Sequence, residues 1–290
     1  MLASLSDVSV TARGQGRAEG LAEGGGWTPG AGINCLRAAG EIYTDPGFSS
    51  VCGPKGPVAR IFLRLVSIRS VYPMAADYTA ARVNMIEGQI RPNKVTDPFV
   101  VEAFLAIPRE RFVPEALAGV AYVDEDVPVA PGRYLMEPMV LARLVQELSL
   151  TRADKVLAVG VATGYAAAIM AEMAGSVVAL ESDPALVEAA RKALAGVAGV
   201  TVVQGDLAAG HAAKAPYGAI LIDGSVPEVP ASLLDQLPEG GRLVAVVINA
   251  AGLGEARYYR KVGGVVSHRI LFDAAVRPLP GFERRAEFVF

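Results

Sequence analysis

The stretch Lys155–Glu172, "KVLAVGVATGYAAAIMAE", runs apolar, breaks at glycines and resumes as an alanine-rich run. "KVLAV" reads as a short buried strand and "GYAAAIMAEMA" as the helix that follows it. A loop that leaves a strand and opens a helix is the setting a nucleotide-type site requires. Its glycine spacing excludes some ligands. A dinucleotide fingerprint needs glycine at the first, third and sixth positions of the turn. Counted from Gly160, those positions hold Gly160, Ala162 and Tyr165, and a tyrosine at the last opposes close packing of a pyrophosphate. A P-loop fails too, because no Gly-Lys-Ser/Thr follows. The spacing that fits is G-x-G-x-G, with Gly160, Ala162 and Gly164 and alanine in the middle place. Such a loop lets backbone approach S-adenosylmethionine closely, with no diphosphate to cradle.

Downstream the same rhythm continues. "SVVALE" and "VTVVQ" read as strands, with "DPALVEAARKALAG" between them as a helix capped by Asp183 and opened by Pro184. "YGAILID", "VPASLLDQL" and "GRLVAVVIN" repeat the strand, helix, strand order. Short apolar strands alternating with helices predict an α/β fold with a mostly parallel sheet covered on both faces. The tail "ARYYRKVGGVVSHRILFDAAVRPL" holds two strand-like runs joined at Gly263-Gly264, which predicts an antiparallel hairpin closing the sheet edge.

Upstream, residues 74–150 read as an N-terminal helical segment. "DYTAARVNMIEGQI" has helical spacing and ends near Arg91-Pro92, and "TDPFVVEAFLAI" opens with Thr96-Asp97 as cap and Pro98 in its first turn. "PRERFVPEAL" and "YVDEDVPVAPGRYLMEP" are proline-punctuated connectors, and "PMVLARLVQELSL" is a third helix. Residues 1–73 differ in texture: Gly-, Ala- and Arg-rich runs without sustained periodicity, holding Trp27, Cys35 and Cys52. The expectation is that Met74 is the true start and that 1–73 is translated non-coding sequence or a disordered tail. Residues 151–290 then form the cofactor-binding core.

Composition narrows the classes. At 290 residues with 52% hydrophobic and 20% charged, the chain can build a sizeable core. A net charge of -3 lacks the basic footprint of a nucleic-acid binder. The two cysteines show no CxxC spacing, and neither His211 nor His268 has metal-ligand partners at useful spacing, so no metal site is expected. The apolar run Arg60–Tyr72 carries Arg60, Arg64 and Arg69 and is shorter than the roughly 18 residues of a membrane span. A monomeric, cytoplasmic protein without membrane or nucleic-acid partners is expected.

Candidate ligand residues fall at successive strand ends. Glu181 closes the second strand about 20 residues after the loop, where a carboxylate accepts both ribose hydroxyls. Asp206 in "VQGDL" can accept the adenine amino group while Leu207 packs on the ring. Asp223 in "LIDGSVP" lies where the methyl group would be presented. Each has a plain alternative: a simple strand-helix turn for the loop, a solvated strand end for Glu181, a turn former or cap for Asp206. Their joint order after successive strands favours the ligand reading.

The chain resembles the protein-L-isoaspartate O-methyltransferase family from about Val83 to Leu279. The carrying segments are "MIEGQIRPNKVTDPFVVEAFLAIPRERFVPEAL", "YVDEDVPVAPGRYLMEPMVLARLVQEL", the glycine loop, and "APYGAILIDGSVPEVPASLLDQLPEGGRLVAVV". The resemblance implies a Rossmann-like methyltransferase with S-adenosylmethionine as donor. Its implied acceptor is the carboxylate of an isomerised aspartate in damaged proteins or peptides. The ester then collapses to a succinimide, allowing partial repair. The acceptor is already ionised at neutral pH, so catalysis is mainly positioning in line with the methyl group.

Three departures stand out. The family connector Gly-Gln-Thr-Ile-Ser-x-Pro reads here Gly132-Arg133-Tyr134-Leu135-Met136-Glu137-Pro138. Met136 takes the serine slot and donates no useful hydrogen bond, and Glu137 beside it repels a carboxylate. Ala158 replaces the usual acid of the first strand, and Ala162 the middle glycine. Arg133 or Tyr134 could stand in for the missing hydroxyl, a guanidinium being well suited to carboxylates. The alternative is a non-catalytic or retargeted protein that keeps the fold and the cofactor as ligand. An NAD-linked oxidoreductase is a third reading, opposed by Tyr165.

Overall fold

The computed structural model describes residues 77–283, so the expectation for residues 1–73 lies outside the described residues. Helix α1 (Tyr78–Met85) is capped by Asp77 and runs on through a π-helical turn, Ile86–Ile90, and a 3-10 turn, Arg91–Asn93. Pro92 sits at the start of that last turn, and Lys94 in the left-handed region ends it. Helix α2 (Pro98–Ala106) follows, its Asp97 side chain accepting from Phe99 N–H as the sequence anticipates.

The connector expected to be irregular is instead an antiparallel ribbon, β1 (Val127–Ala130) with β2 (Arg133–Leu135), and its register slips at a bulge between Pro128 and Ala130. Gly132, at a φ of +69°, supplies the left-handed turn between the strands. Helix α3 (Pro138–Leu148) then buries a stripe including Val140, Leu141, Leu144 and Leu148.

The core is a seven-stranded sheet. In chain order come β3 (Lys155–Val159), α4 (Tyr165–Ala171), β4 (Ser176–Glu181), α5 (Pro184–Ala193) and β5 (Val200–Gln204). Then follow β6 (Ala219–Val226), α6 (Ala231–Leu234), β7 (Arg242–Ile248), β8 (Gly254–Val262) and β9 (Val265–Asp273). Spatial order is β5-β4-β3-β6-β7-β8-β9. Strands β3 to β7 pair in parallel, while β8 and β9 are antiparallel to their neighbours. This is the predicted mostly parallel sheet with a C-terminal hairpin, which turns at Gly263 and Gly264, both with positive φ. Along β3, Val156 and Ala158 face one hydrophobic cluster while Leu157 and Val159 face another, so both faces are covered. Fully burying one such aliphatic side chain stabilises the fold by roughly 1.5–3 kcal/mol.

The order reverses at β3. The chain winds outward to β4 and β5 on one side, then returns to β6 and β7 on the other. The crevice at the carboxyl ends of β3 and β6 is therefore the topological switch point, where open α/β sheets take ligands.

Candidate active site

Gly160, Ala162 and Gly164 occupy that crevice, all with positive φ: +77°, +50° and +100°. Ala162 thus holds the left-handed conformation where glycine is favoured, at a cost on the order of 1 kcal/mol. A side chain at Gly160 would meet Leu279 Cδ1 at 2.7 Å, and one at Gly224 would meet Leu279 Cβ at 2.9 Å. Positive φ and the approach of Leu279 together favour glycine at 160 and 224. Leu279 belongs to a closing segment tied to β6: Ser225 N–H donates to the Arg277 carbonyl at 3.0 Å, Ser225 Oγ to the Val276 carbonyl at 2.8 Å, and Leu279 N–H to the Ser225 carbonyl at 2.8 Å. "VRPLPG" thus lies against the glycine loop.

Glu181, at the end of β4, is fully buried and points at the loop. Its Oε2 accepts Ala162 N–H at 2.8 Å, and its Oε1 accepts Ser182 N–H at 2.7 Å and Asp183 N–H at 3.1 Å. These bonds orient the carboxylate and leave one edge, with both oxygens, free of backbone. Arg133 lies across that edge. Its Nη1 donates to Oε1 and its Nη2 to Oε2, each at 2.6 Å, and Nη2 also donates to the Gly160 carbonyl at 3.0 Å. The guanidinium is buried as well, its residue 5% exposed. A two-pronged pair of this kind is the strong form of the interaction, and breaking one inside a protein leaves a buried charge uncompensated.

Of the remaining expected residues, Asp206 and Leu207 lie apart, while Asp223, Met136 and Tyr134 share one cleft with Arg133. Asp206 is exposed, and its Oδ1 caps the turn by accepting from Ala208 and Ala209 N–H. Leu207 is buried in the cluster that holds Leu180 and Tyr217. Asp223 is buried within β6, three residues before its end, its Oδ1 without a hydrogen-bond partner. Burial pushes its carboxyl up to about 7, against the pull of Arg133 and Arg109. Met136 is also buried, and its carbonyl accepts Arg109 Nη2 at 2.8 Å. Tyr134 is half-buried beneath the Arg277 guanidinium, 5.4 Å from its ring centre. A small cleft joins Arg133, Met136, Asp223, Arg277 and Leu279, with Asp126 at its rim.

The acceptor side is acidic. Asp126 accepts Glu137 N–H at 2.9 Å and Arg277 N–H at 3.0 Å, tying the connector to the closing segment. Burial, then Asp124, Asp126 and Glu125, push the Glu137 carboxyl up to about 7. Two features were not anticipated from sequence. One is the Arg133–Glu181 pair. The other is fully buried Arg109, which bonds the Ala121 and Met136 carbonyls and stacks 4.9 Å from the Tyr165 ring centre. Nothing local in "PRERF" distinguishes the arginine that is buried, Arg109, from the exposed Arg111.

A glycine loop at the switch point, with a carboxylate closing the next strand, defines the class of Rossmann-like methyltransferases. The comparisons narrow it. The family model for protein-L-isoaspartate(D-aspartate) O-methyltransferase matches residues 81–279. The protein-L-isoaspartate O-methyltransferase of Methanoculleus marisnigri is 42% identical over 168 residues, 57% of this chain and 76% of that protein. The one from Koribacter versatilis is 34% identical over 211 residues, 72% of this chain and 95% of that protein. Among solved structures, a protein-L-isoaspartate O-methyltransferase at 24% identity superposes with a TM-score of 0.60, covering 71% of this chain and 67% of its own. A putative one from Plasmodium falciparum, in complex with S-adenosyl-L-homocysteine, gives 0.59 at 19% identity, covering 70% and 98%. At these identities the structures speak for the fold. The chain belongs to the protein-L-isoaspartate(D-aspartate) O-methyltransferase family, and it is an S-adenosylmethionine-dependent methyltransferase.

The residues present fit that cofactor. The edge of Glu181 that backbone leaves open is taken by the Arg133 guanidinium at 2.6 Å on each oxygen, and a ribose diol would need the same two oxygens.

Proposed function

We propose that this protein methylates the carboxylate of L-isoaspartyl residues in damaged proteins, as its relatives' names describe. Glu181 carries the reading: a buried carboxylate beside the glycine loop, oriented by three backbone N–H groups, presents an edge that the Arg133 fork now holds and that a ribose diol would need. In this reading Gly160, Ala162 and Gly164 shape the cofactor loop and Glu181 takes the ribose. Asp206 and Leu207 flank the adenine, and Asp223 faces the transferred methyl. When bound, the cofactor would supply an electrophilic methyl group to the acceptor carboxylate, with its thioether as the leaving group. The protein's part is to hold the acceptor in line and exclude water, since an ionised carboxylate needs no base. The ester is then attacked by the following backbone nitrogen, methanol leaves, and the succinimide opens in part to normal aspartate. The net charge of -3 supports an acceptor that is polypeptide rather than nucleic acid.

The test is methyl transfer from labelled cofactor to a peptide with one isoaspartyl residue, beside its ordinary aspartyl counterpart. Base-labile label on the isoaspartyl peptide alone is expected. No transfer, despite measurable S-adenosylhomocysteine binding, rejects the repair assignment. A second reading, a cofactor-binding protein without this activity, is favoured by Met136 in the hydroxyl slot. Activity that appears only in Met136→Ser would establish it.

A further inference from the structure

We propose that Arg133 is the residue that binds the acceptor carboxylate, and that Glu181 holds it in reserve until the cofactor's ribose takes its place. The proposal rests on the repair-methyltransferase reading and names the group that replaces the missing connector hydroxyl.

Three observations carry it. First, the edge of Glu181 has room for one two-donor partner. Its other positions are filled by Ala162, Ser182 and Asp183 N–H. A guanidinium fork and a vicinal diol both need the same two oxygens, so they exclude one another. Second, a displaced guanidinium cannot stay buried without an anion. It lines the same small cleft as Met136 and Asp223, on the acceptor side of the glycine loop. An acceptor entering there brings a carboxylate, and a planar fork pairs with it as it now pairs with Glu181. Third, of the two arginines that line the cleft, Arg277 is exposed and stacks on Tyr134, which leaves Arg133 as the buried cation there. Met136 offers no donor there, while Asp126 and Glu137 on the same side disfavour an anion. One ion pair is exchanged for another, and cofactor and acceptor become coupled: ribose on Glu181 frees the arginine that the acceptor requires.

Isothermal calorimetry on the full chain tests this with S-adenosylhomocysteine and a peptide carrying one isoaspartyl residue. Wild-type protein should bind the peptide at least about 10-fold more tightly when saturated with S-adenosylhomocysteine. Equal affinity with and without it overturns the exchange, and this measurement needs no variant. Arg133→Met should bind S-adenosylhomocysteine about 10-fold more tightly, because Glu181 is no longer engaged. It should also lose more than about 10-fold in peptide affinity, with Arg133→Lys recovering part of that loss. Unchanged or weaker S-adenosylhomocysteine binding by Arg133→Met sinks the exchange. Retained peptide affinity in that variant sinks the acceptor role and points to Arg277 or to an Arg133–Asp223 pair, even if wild-type protein methylates the peptide. If wild-type protein transfers no methyl and binds no peptide, yet Arg133→Met binds S-adenosylhomocysteine more tightly, the repair reading and the acceptor role fall and the exchange at Glu181 stands.

Discussion

Asp223 is a buried carboxyl with one oxygen unpartnered, in a cleft that already holds Arg133 and Met136. Burial raises its pKa to about 7 in the folded protein, against about 3.9 in an unfolded chain. Between those values the folded state keeps a proton that the unfolded state has lost. Its contribution is thus fully present below about pH 4 and is lost as pH rises toward 7, on the order of a few kcal/mol in all. Asp223→Asn removes the titration and keeps the shape. Urea unfolding from pH 4.5 to 7.5 should show wild-type stability falling relative to Asp223→Asn, and parallel profiles would refute the assignment. Glu137 titrates in the same direction but is present in both proteins, so the difference isolates Asp223. Much of this scale was readable in advance. The strand ends marked Glu181, Asp206 and Asp223 because parallel strands deliver their last residues to the crevice. That Asp206 caps its own turn, and that Arg133 faces Glu181, was not readable. Both depend on which rotamer the packed environment accepts.

Among the elements, the ribbon β1–β2 and the closing segment 276–279 do the positioning. The sequence reading treated the connector as irregular because its prolines punctuate it and its strands are short. Its pairing becomes visible only once Gly132 turns the chain back and Val127 comes opposite Leu135. The closing segment has no helix or strand period, yet Ser225 and Leu279 fasten it onto β6. Ser225→Ala should lower stability by about 1–2 kcal/mol, because it leaves the Val276 carbonyl unpaired in a buried place. Urea titration measures this, and an unchanged midpoint would show that the two backbone bonds of Ser225 and Leu279 packing hold the segment without the hydroxyl. By contrast, β3 and β4 were legible to their ends, as apolar runs bounded by turn-forming residues. β6 was read as ending at Asp223, yet it runs on through Gly224 and Ser225 to Val226, because pairing with β7 resumes at Ser225.

At the scale of the molecule, the reversal of winding at β3 makes one crevice and sets the glycine loop, Glu181 and Asp223 around it. A ligand that binds there only in the folded state must stabilise the whole domain. S-adenosylhomocysteine at a hundred-fold excess over its Kd should add about 2.7 kcal/mol, seen as a rise in Tm. NAD should add none, because Tyr165 is fully buried where a pyrophosphate-binding helix would need glycine. A shift with NAD and none with S-adenosylhomocysteine would overturn the assignment of the loop.

From the amino-acid order alone follow the alternation of strands and helices, the exclusion of a diphosphate-binding loop, and the acids at successive strand ends. All of these rest on neighbours within a few residues, where periodicity and turn chemistry act. The partner of Glu181 rests on something else. Arg133 stands 48 residues away in the chain and meets it only because a ribbon folds over the switch point. A pairing between distant charges follows from the packed shape that brings them together and from the burial that forbids either to remain alone.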